Sequence, residues 1–87
     1  MDKEFEDWRK QIDALDKELL IVLSKRGTIV KKIGNFKKIN DLLPLDKKRW
    51  QQILESRSKL GIKLGLNSEF VKQIFKLIHD DSLRLQQ

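Results

Sequence analysis

The 87-residue sequence predicts an all-α fold of three helices, one of them very long, paired as an intertwined helical homodimer. Three observations predict it. Apolar residues recur at alternating steps of three and four from Phe5 to Phe36, which is the pattern of a helix seam. Period-two alternation bounded by turns is absent, so nothing reads as a strand. The single proline, Pro44, falls in the stretch "KINDLLPL" (38–45), the best candidate for a loop between helical patterns.

The first helix runs from about Asp2 to Lys37, on the order of 50 Å at 1.5 Å per residue. Its seam is Phe5, Trp8, Ile12, Leu15, Leu19, Val22, Arg26, Ile29, Ile33 and Phe36. Gly27 and Gly34 weaken the helix by about 1 kcal/mol each relative to alanine, but neither sits in a turn-like cluster. A second helix runs from Asp46 to about Leu64, with Trp50, Ile53, Leu54, Leu60 and Leu64 as its apolar face. The glycines of "GIKLGLN" (61–67) end it. Asn67 or Ser68 caps the third helix, and Glu69 in the first turn favours its dipole. That helix reaches about Gln86 on Phe70, Val71, Ile74, Phe75, Leu77 and Ile78.

Residues 1–87 form one domain. A helix near 50 Å long with an unbroken seam needs a partner along its whole length. The other two helices supply only about 40 residues. A second copy of the chain is the economical partner.

Composition narrows the function. The chain is 37 % charged and 39 % hydrophobic, too apolar and too patterned to be disordered. It has no cysteine and one histidine, so no disulfide, thiolate chemistry or zinc site is expected. The first apolar run, Leu19 to Leu23, is too short to span a membrane, and a cytoplasmic protein is the default. The net charge of +6 favours anionic partners. Nucleic acid is disfavoured as that partner. There is no aromatic-rich single-strand platform and no helix-turn-helix spacing, and the key cation lies in a seam.

That cation is Arg26, which stands where the seam calls for leucine. A buried guanidinium without a partner costs several kcal/mol. Its partner is either an acidic side chain or a ligand carboxylate or phosphate bound in bidentate fashion. Lys37, eleven residues on, shares its face at roughly 16 Å. Arg9 lies about 25 Å the other way and about a hundred degrees round the helix, so it reaches such a ligand only across a dimer. Asp46 and Arg49, one turn apart, read as a local ion pair or as site residues. Ser82 and Gln86 continue the stripe Val71–Phe75–Ile78, which marks either a helix end at the surface or a polar pocket.

Three stretches together carry a resemblance: "WRKQIDALDKELLIVLSKRGTIVKKIGNFK", "DKKR" and "GLNSEFVKQIFKLIHDDSLRLQ". Over essentially its whole length the chain resembles the all-helical class of chorismate mutases. The resemblance implies a domain-swapped homodimer with two shared active sites and chorismate, a small dianion, as substrate. The implied reaction is its rearrangement to prephenate in phenylalanine and tyrosine biosynthesis, without a cofactor. Arg9 from the other chain and Arg26 would bind the two carboxylates. Lys37 would contact a carboxylate and the ether oxygen, and Gln86 the same oxygen. Arg49 and Ser82 would support the carboxylate contacts. Asp46 would stand at the hydroxyl end, and Ile33, Ile53 and Leu83 would form apolar walls. The chain departs from the family at Trp50, where a glutamate that helps bind the hydroxyl is usual, and at His79, where an apolar residue is common. Trp50 brings two relatives of the reaction into view: isochorismate-pyruvate lyase, and mutase action on a chorismate analogue. A non-enzymatic basic helical dimer that binds nucleic acid is the reading from another class.

Overall fold

The computed structural model describes residues 2–87. Three helices follow in order: α1 (Asp2–Ile39), α2 (Lys47–Lys63) and α3 (Ser68–Leu85). No strand occurs among the described residues.

Each boundary has a local cause. The α1 helix runs through Gly27 and Gly34 and stops where Asp41 adopts a left-handed φ of 55°. Leu42 N–H then donates to the Lys37 carbonyl at 2.7 Å and Asp41 N–H to that of Lys38 at 3.3 Å, a Schellman close that satisfies two end carbonyls. The α2 helix starts at its cap, Asp46, whose carboxylate accepts from Arg49 N–H at 3.0 Å. It ends the way α1 does, with Gly65 at φ 81° and Leu66 N–H donating to the Gly61 carbonyl at 2.8 Å. Gly61 therefore lies inside α2 and does not end it. A Cβ there would stand 2.7 Å from Val71 Cγ2, so the residue sets how closely α2 and α3 approach. Asn67 caps α3 by accepting from Phe70 N–H at 3.0 Å.

The short connection folds α3 back along α2, and the C-terminal turns of α3 cross α1. Thus α3 packs on both other helices, while α1 and α2 do not pack directly on each other. The core is thin. Val30, Ile53 and Val71 are its buried apolar residues, each no more than 8 % exposed. By contrast Trp8, Ile12, Leu15, Leu19 and Val22, all on the predicted seam, are 57–59 % exposed. The chain measures 59 × 24 × 15 Å, and its long dimension is that of α1. Its accessible surface is 7553 Å². A compact monomer of this mass has about 5,400 Å². The radius of gyration, 16.6 Å, exceeds the roughly 12 Å of a compact domain of this length. No described helix is long and apolar enough to cross a membrane.

Candidate active site

Arg26 faces α3. Its Nη1 donates to Ser82 Oγ at 2.7 Å, and that hydroxyl donates to the Ile78 carbonyl at 2.8 Å. The second bond fixes the polarity of the first: the serine proton goes to the helix, so its oxygen is free to accept from arginine. Among the described residues no carboxylate forms an ion pair with Arg26. Burial lowers its pKa first, and the charges of Arg57 and Arg49 lower it further. The guanidinium stays protonated at physiological pH. A half-buried cation is thus held by a neutral hydroxyl in the field of two other cations. Such a place favours an anion.

Lys37 lies three turns further along α1. Its Nζ donates to the Pro44 carbonyl at 2.5 Å and to Gln86 Oε1 at 2.7 Å. The first contact follows from the Schellman close, which turns the chain so that 42–45 returns beside the end of α1. The second follows from the crossing of α3. Gln86 is 8 % exposed, and its Nε2 donates to the Ser82 carbonyl at 3.2 Å. Close approach at this crossing depends on Gly34, where a Cβ would stand 2.8 Å from Gln86 Cα. An ammonium has three donors and an amide nitrogen two, so Lys37 and Gln86 each keep one N–H for a ligand.

These groups share one cavity of about 150 Å³ between the three helices. Arg26, Lys37, Asp46, Arg49, Ser82 and Gln86 supply its polar lining, and Ile33, Ile53 and Leu83 its apolar walls. All the predicted site residues but one therefore meet in a single place. Lys37 is a bound cation at the cavity wall. Asp46 serves as helix cap to the Arg49 backbone while lining the cavity, and no ion pair joins the two side chains. The exception is Arg9. It sits on the exposed N-terminal half of α1, 3.6 Å from Glu6 and 4.5 Å over the Phe5 ring. It does not reach the cavity of its own chain.

Sequence reasoning missed three features. The charge of Arg57 acts on Arg26; the spacing Arg49–Ile53–Arg57, at steps of four, is the signal that could have found it. The Pro44 carbonyl carries no signal, because any residue supplies one. Trp50 and His79 stand out singly in the sequence, but their pairing does not. Their rings stack with centroids 4.0 Å apart and planes 18° apart, and both line the cavity.

Chemically the cavity has cationic and neutral donors suited to an anion, with N–H groups unengaged at its Lys37–Gln86 end and apolar walls. It offers no cysteine, and among the described residues no cluster of His, Cys, Asp or Glu is grouped to hold a metal. Comparison with known proteins gives the same direction. The bifunctional chorismate mutase/prephenate dehydratase of Buchnera aphidicola subsp. Acyrthosiphon pisum is 32 % identical over 80 residues, covering 92 % of this chain and 21 % of that protein. The protein of the same description from Escherichia coli is 32 % identical over 79 residues, covering 91 % and 20 %. That of Enterobacter agglomerans is 29 % identical over 79 residues, again 91 % and 20 %. The chain thus spans about a fifth of the length of the curated relatives it matches. Residues 8–87, which hold every residue of the cavity, match the family model for chorismate mutase type II, and the chain belongs to that family.

Proposed function

We propose that the chain rearranges chorismate to prephenate, in phenylalanine and tyrosine biosynthesis, as a homodimer whose two sites each take Arg9 from the other subunit. The observation that carries this reading is Arg26. It is a half-buried guanidinium bonded to Ser82 and not to a carboxylate, in the same cavity as the Lys37–Gln86 pair.

The reaction suits such a site. In one concerted step the ether C–O bond breaks and a C–C bond forms between the enolpyruvyl methylene and the ring, with electrons moving round a six-membered array. No proton moves and no covalent intermediate forms. Catalysis then comes from two effects. Arg26, supported by Ser82 and Arg49, holds one carboxylate, and Arg9 of the other subunit holds the second. The flexible dianion is thereby kept in its compact reactive conformer. Lys37 and Gln86 direct their remaining N–H groups at the ether oxygen, which gains negative charge as its bond to the ring breaks. The second effect is stronger in the transition state than in the ground state, so it raises the rate and not merely affinity. Asp46 stands at the hydroxyl end, and Ile33, Ile53 and Leu83 hold the ring.

The dimer is supported by the surface left on one chain. The accessible area exceeds that of a compact monomer by about 2,000 Å², and the exposed apolar seam of α1 is where burial is lacking. An interface that covered it would be of ordinary size for a stable dimer. Arg9 lies on the same half-helix, so the contact that buries the seam would also carry this arginine to the neighbouring cavity.

Loss of chorismate absorbance on adding the purified protein, with phenylpyruvate detected after acid treatment, tests the reading. An inert protein overturns it. Trp50 in the cavity wall favours a second reading, pyruvate release from isochorismate. Supplying each substrate and following pyruvate separates the two.

A further inference from the structure

Three cationic groups and one amide of the cavity are committed by the reading above to carboxylates and the ether oxygen. The polar wall that remains is His79 on α3, beside Asp46, the N-cap of α2 already placed at the hydroxyl end. One oxygen of Asp46 is engaged by the Arg49 N–H. His79 is held flat against Trp50, ring to ring at 4.0 Å, and its side chain is 18 % exposed. Trp50 and His79 form a partition. One side faces the cavity, and the other borders an outer groove that Asp80 also lines. His79 Nδ1 lies 4.0 Å from the Asp80 carboxylate, which belongs to the groove and not to the cavity. A neutral imidazole has one donor and one acceptor nitrogen, and with Nδ1 on the Asp80 side, Nε2 is the ring nitrogen left to accept.

An acceptor fixed in a wall of this kind fits a substrate group that donates. We propose that His79 is a specificity-determining residue that accepts a hydrogen bond from the ring hydroxyl of the substrate, and that Trp50 is the positioning residue that holds its imidazole in place by stacking. The assignment rests on the mutase reading, because that reading fixes which groups are already engaged. It gives the two unusual residues of the cavity one joint role. An aromatic in place of a carboxylate at Trp50 cannot accept from a hydroxyl, and the imidazole it supports can.

The test compares kcat/KM for chorismate and for the analogue lacking the ring hydroxyl, in the intact wild-type protein and in four variants. His79→Phe keeps a stacking ring and removes the acceptor. His79→Gln restores an acceptor without the ring. Trp50→Phe keeps the stack, and Trp50→Ala removes it. The wild type should prefer chorismate by roughly tenfold, the worth of one neutral hydrogen bond. His79→Phe should cut that preference severalfold, mostly by raising KM for chorismate while leaving the analogue unaffected. His79→Gln should recover part of it. Trp50→Ala should resemble His79→Phe, and Trp50→Phe the wild type. An active His79→Phe protein that keeps the wild-type preference overturns the inference and leaves the mutase reading standing. The same holds if the wild type shows no preference. Should His79→Phe fail to fold, the His79→Gln and Trp50→Ala ratios decide in the same way. A wild-type protein inert toward chorismate removes the mutase reading and this inference with it.

Discussion

Lys37 Nζ and Gln86 Oε1 lie 2.7 Å apart although 49 residues separate them in the chain. The bond ties the end of α1 to the end of α3 and leaves one donor unengaged on each of two residues that line the same cavity. If both face an oxygen that becomes anionic only during reaction, their loss should fall on kcat. Lys37→Ala should lower kcat on the order of hundredfold, by analogy with removing an oxyanion donor. Gln86→Ala should lose less, about tenfold, since it contributes a neutral donor. Because the two are bonded, the double variant should lose less than the product of the single losses. Steady-state kinetics on the four proteins checks this, and strictly multiplicative losses would contradict it.

Arg26 and Ser82 make a second such pair, and here the expected split between binding and turnover differs. Arg26→Ala should be at least as harmful as Lys37→Ala, because it leaves a substrate carboxylate unpaired in a half-buried site. Arg26→Lys should recover little, since an ammonium cannot reproduce the planar two-pronged contact. Ser82→Ala should raise KM by about tenfold or less, as one neutral hydrogen bond that orients the guanidinium is lost. Recovery of wild-type kcat/KM by Arg26→Lys would count against bidentate binding.

Arg9 is the residue that separates a shared site from a site within one chain. It lies outside its own cavity, so Arg9→Ala should leave the fold intact and abolish activity. Co-refolding Arg9→Ala with Lys37→Ala chains should restore some activity, because one of the two sites in each mixed dimer regains both groups. Activity that stays at the level of the parent variants, in a preparation shown to contain mixed dimers, refutes the shared arrangement.

Gly34 is a prediction about geometry without charge. An added Cβ would stand 2.8 Å from Gln86 Cα and 3.2 Å from its Cβ and Cγ, so backbone must move and not merely a side chain. Alanine gains about 1 kcal/mol of helix propensity over glycine, against about 1–3 kcal/mol for overpacking. Stability should therefore change little or fall modestly. Activity should drop far more, because Gln86 is pushed from Lys37. Measuring urea midpoints beside kcat checks the contrast, and equal losses in the two would defeat it.

Ser58 offers a stability test away from the cavity. Its hydroxyl is buried in α2 and has no hydrogen-bond partner among the described residues. Such an orphan costs about 1–3 kcal/mol, and alanine adds a few tenths of a kcal/mol of helix propensity. Ser58→Ala should raise the urea midpoint and leave kcat unchanged. A lower midpoint would mean that the hydroxyl has a partner in the assembled protein.

The sequence alone determined the helices, because each is written in local chemistry. The three-and-four spacing of α1, the Asn67 cap and the apolar stripe of α3 act within a few residues of themselves. It also marked Arg26, since a permanent charge in an apolar seam is conspicuous without coordinates, and it placed Lys37 on the same face by helical periodicity alone. Two local details differ. Of the two glycines in 61–67 only Gly65 ends α2, while Gly61 is a contact with Val71, and Asp46 caps the Arg49 backbone without an ion pair to its side chain. What Arg26 binds within the chain was left open by the sequence. Only the tertiary structure decided that its partner is the Ser82 hydroxyl, that Lys37 meets Gln86 and the Pro44 carbonyl, and that Trp50 stacks on His79. The reason is physical. Each of these contacts joins groups on different elements, and their meeting depends on the angle at which α3 crosses α1 and on how closely Gly34 and Gly61 let the helices approach. Periodicity fixes which face a side chain occupies. The crossing of two helices fixes which atom it touches.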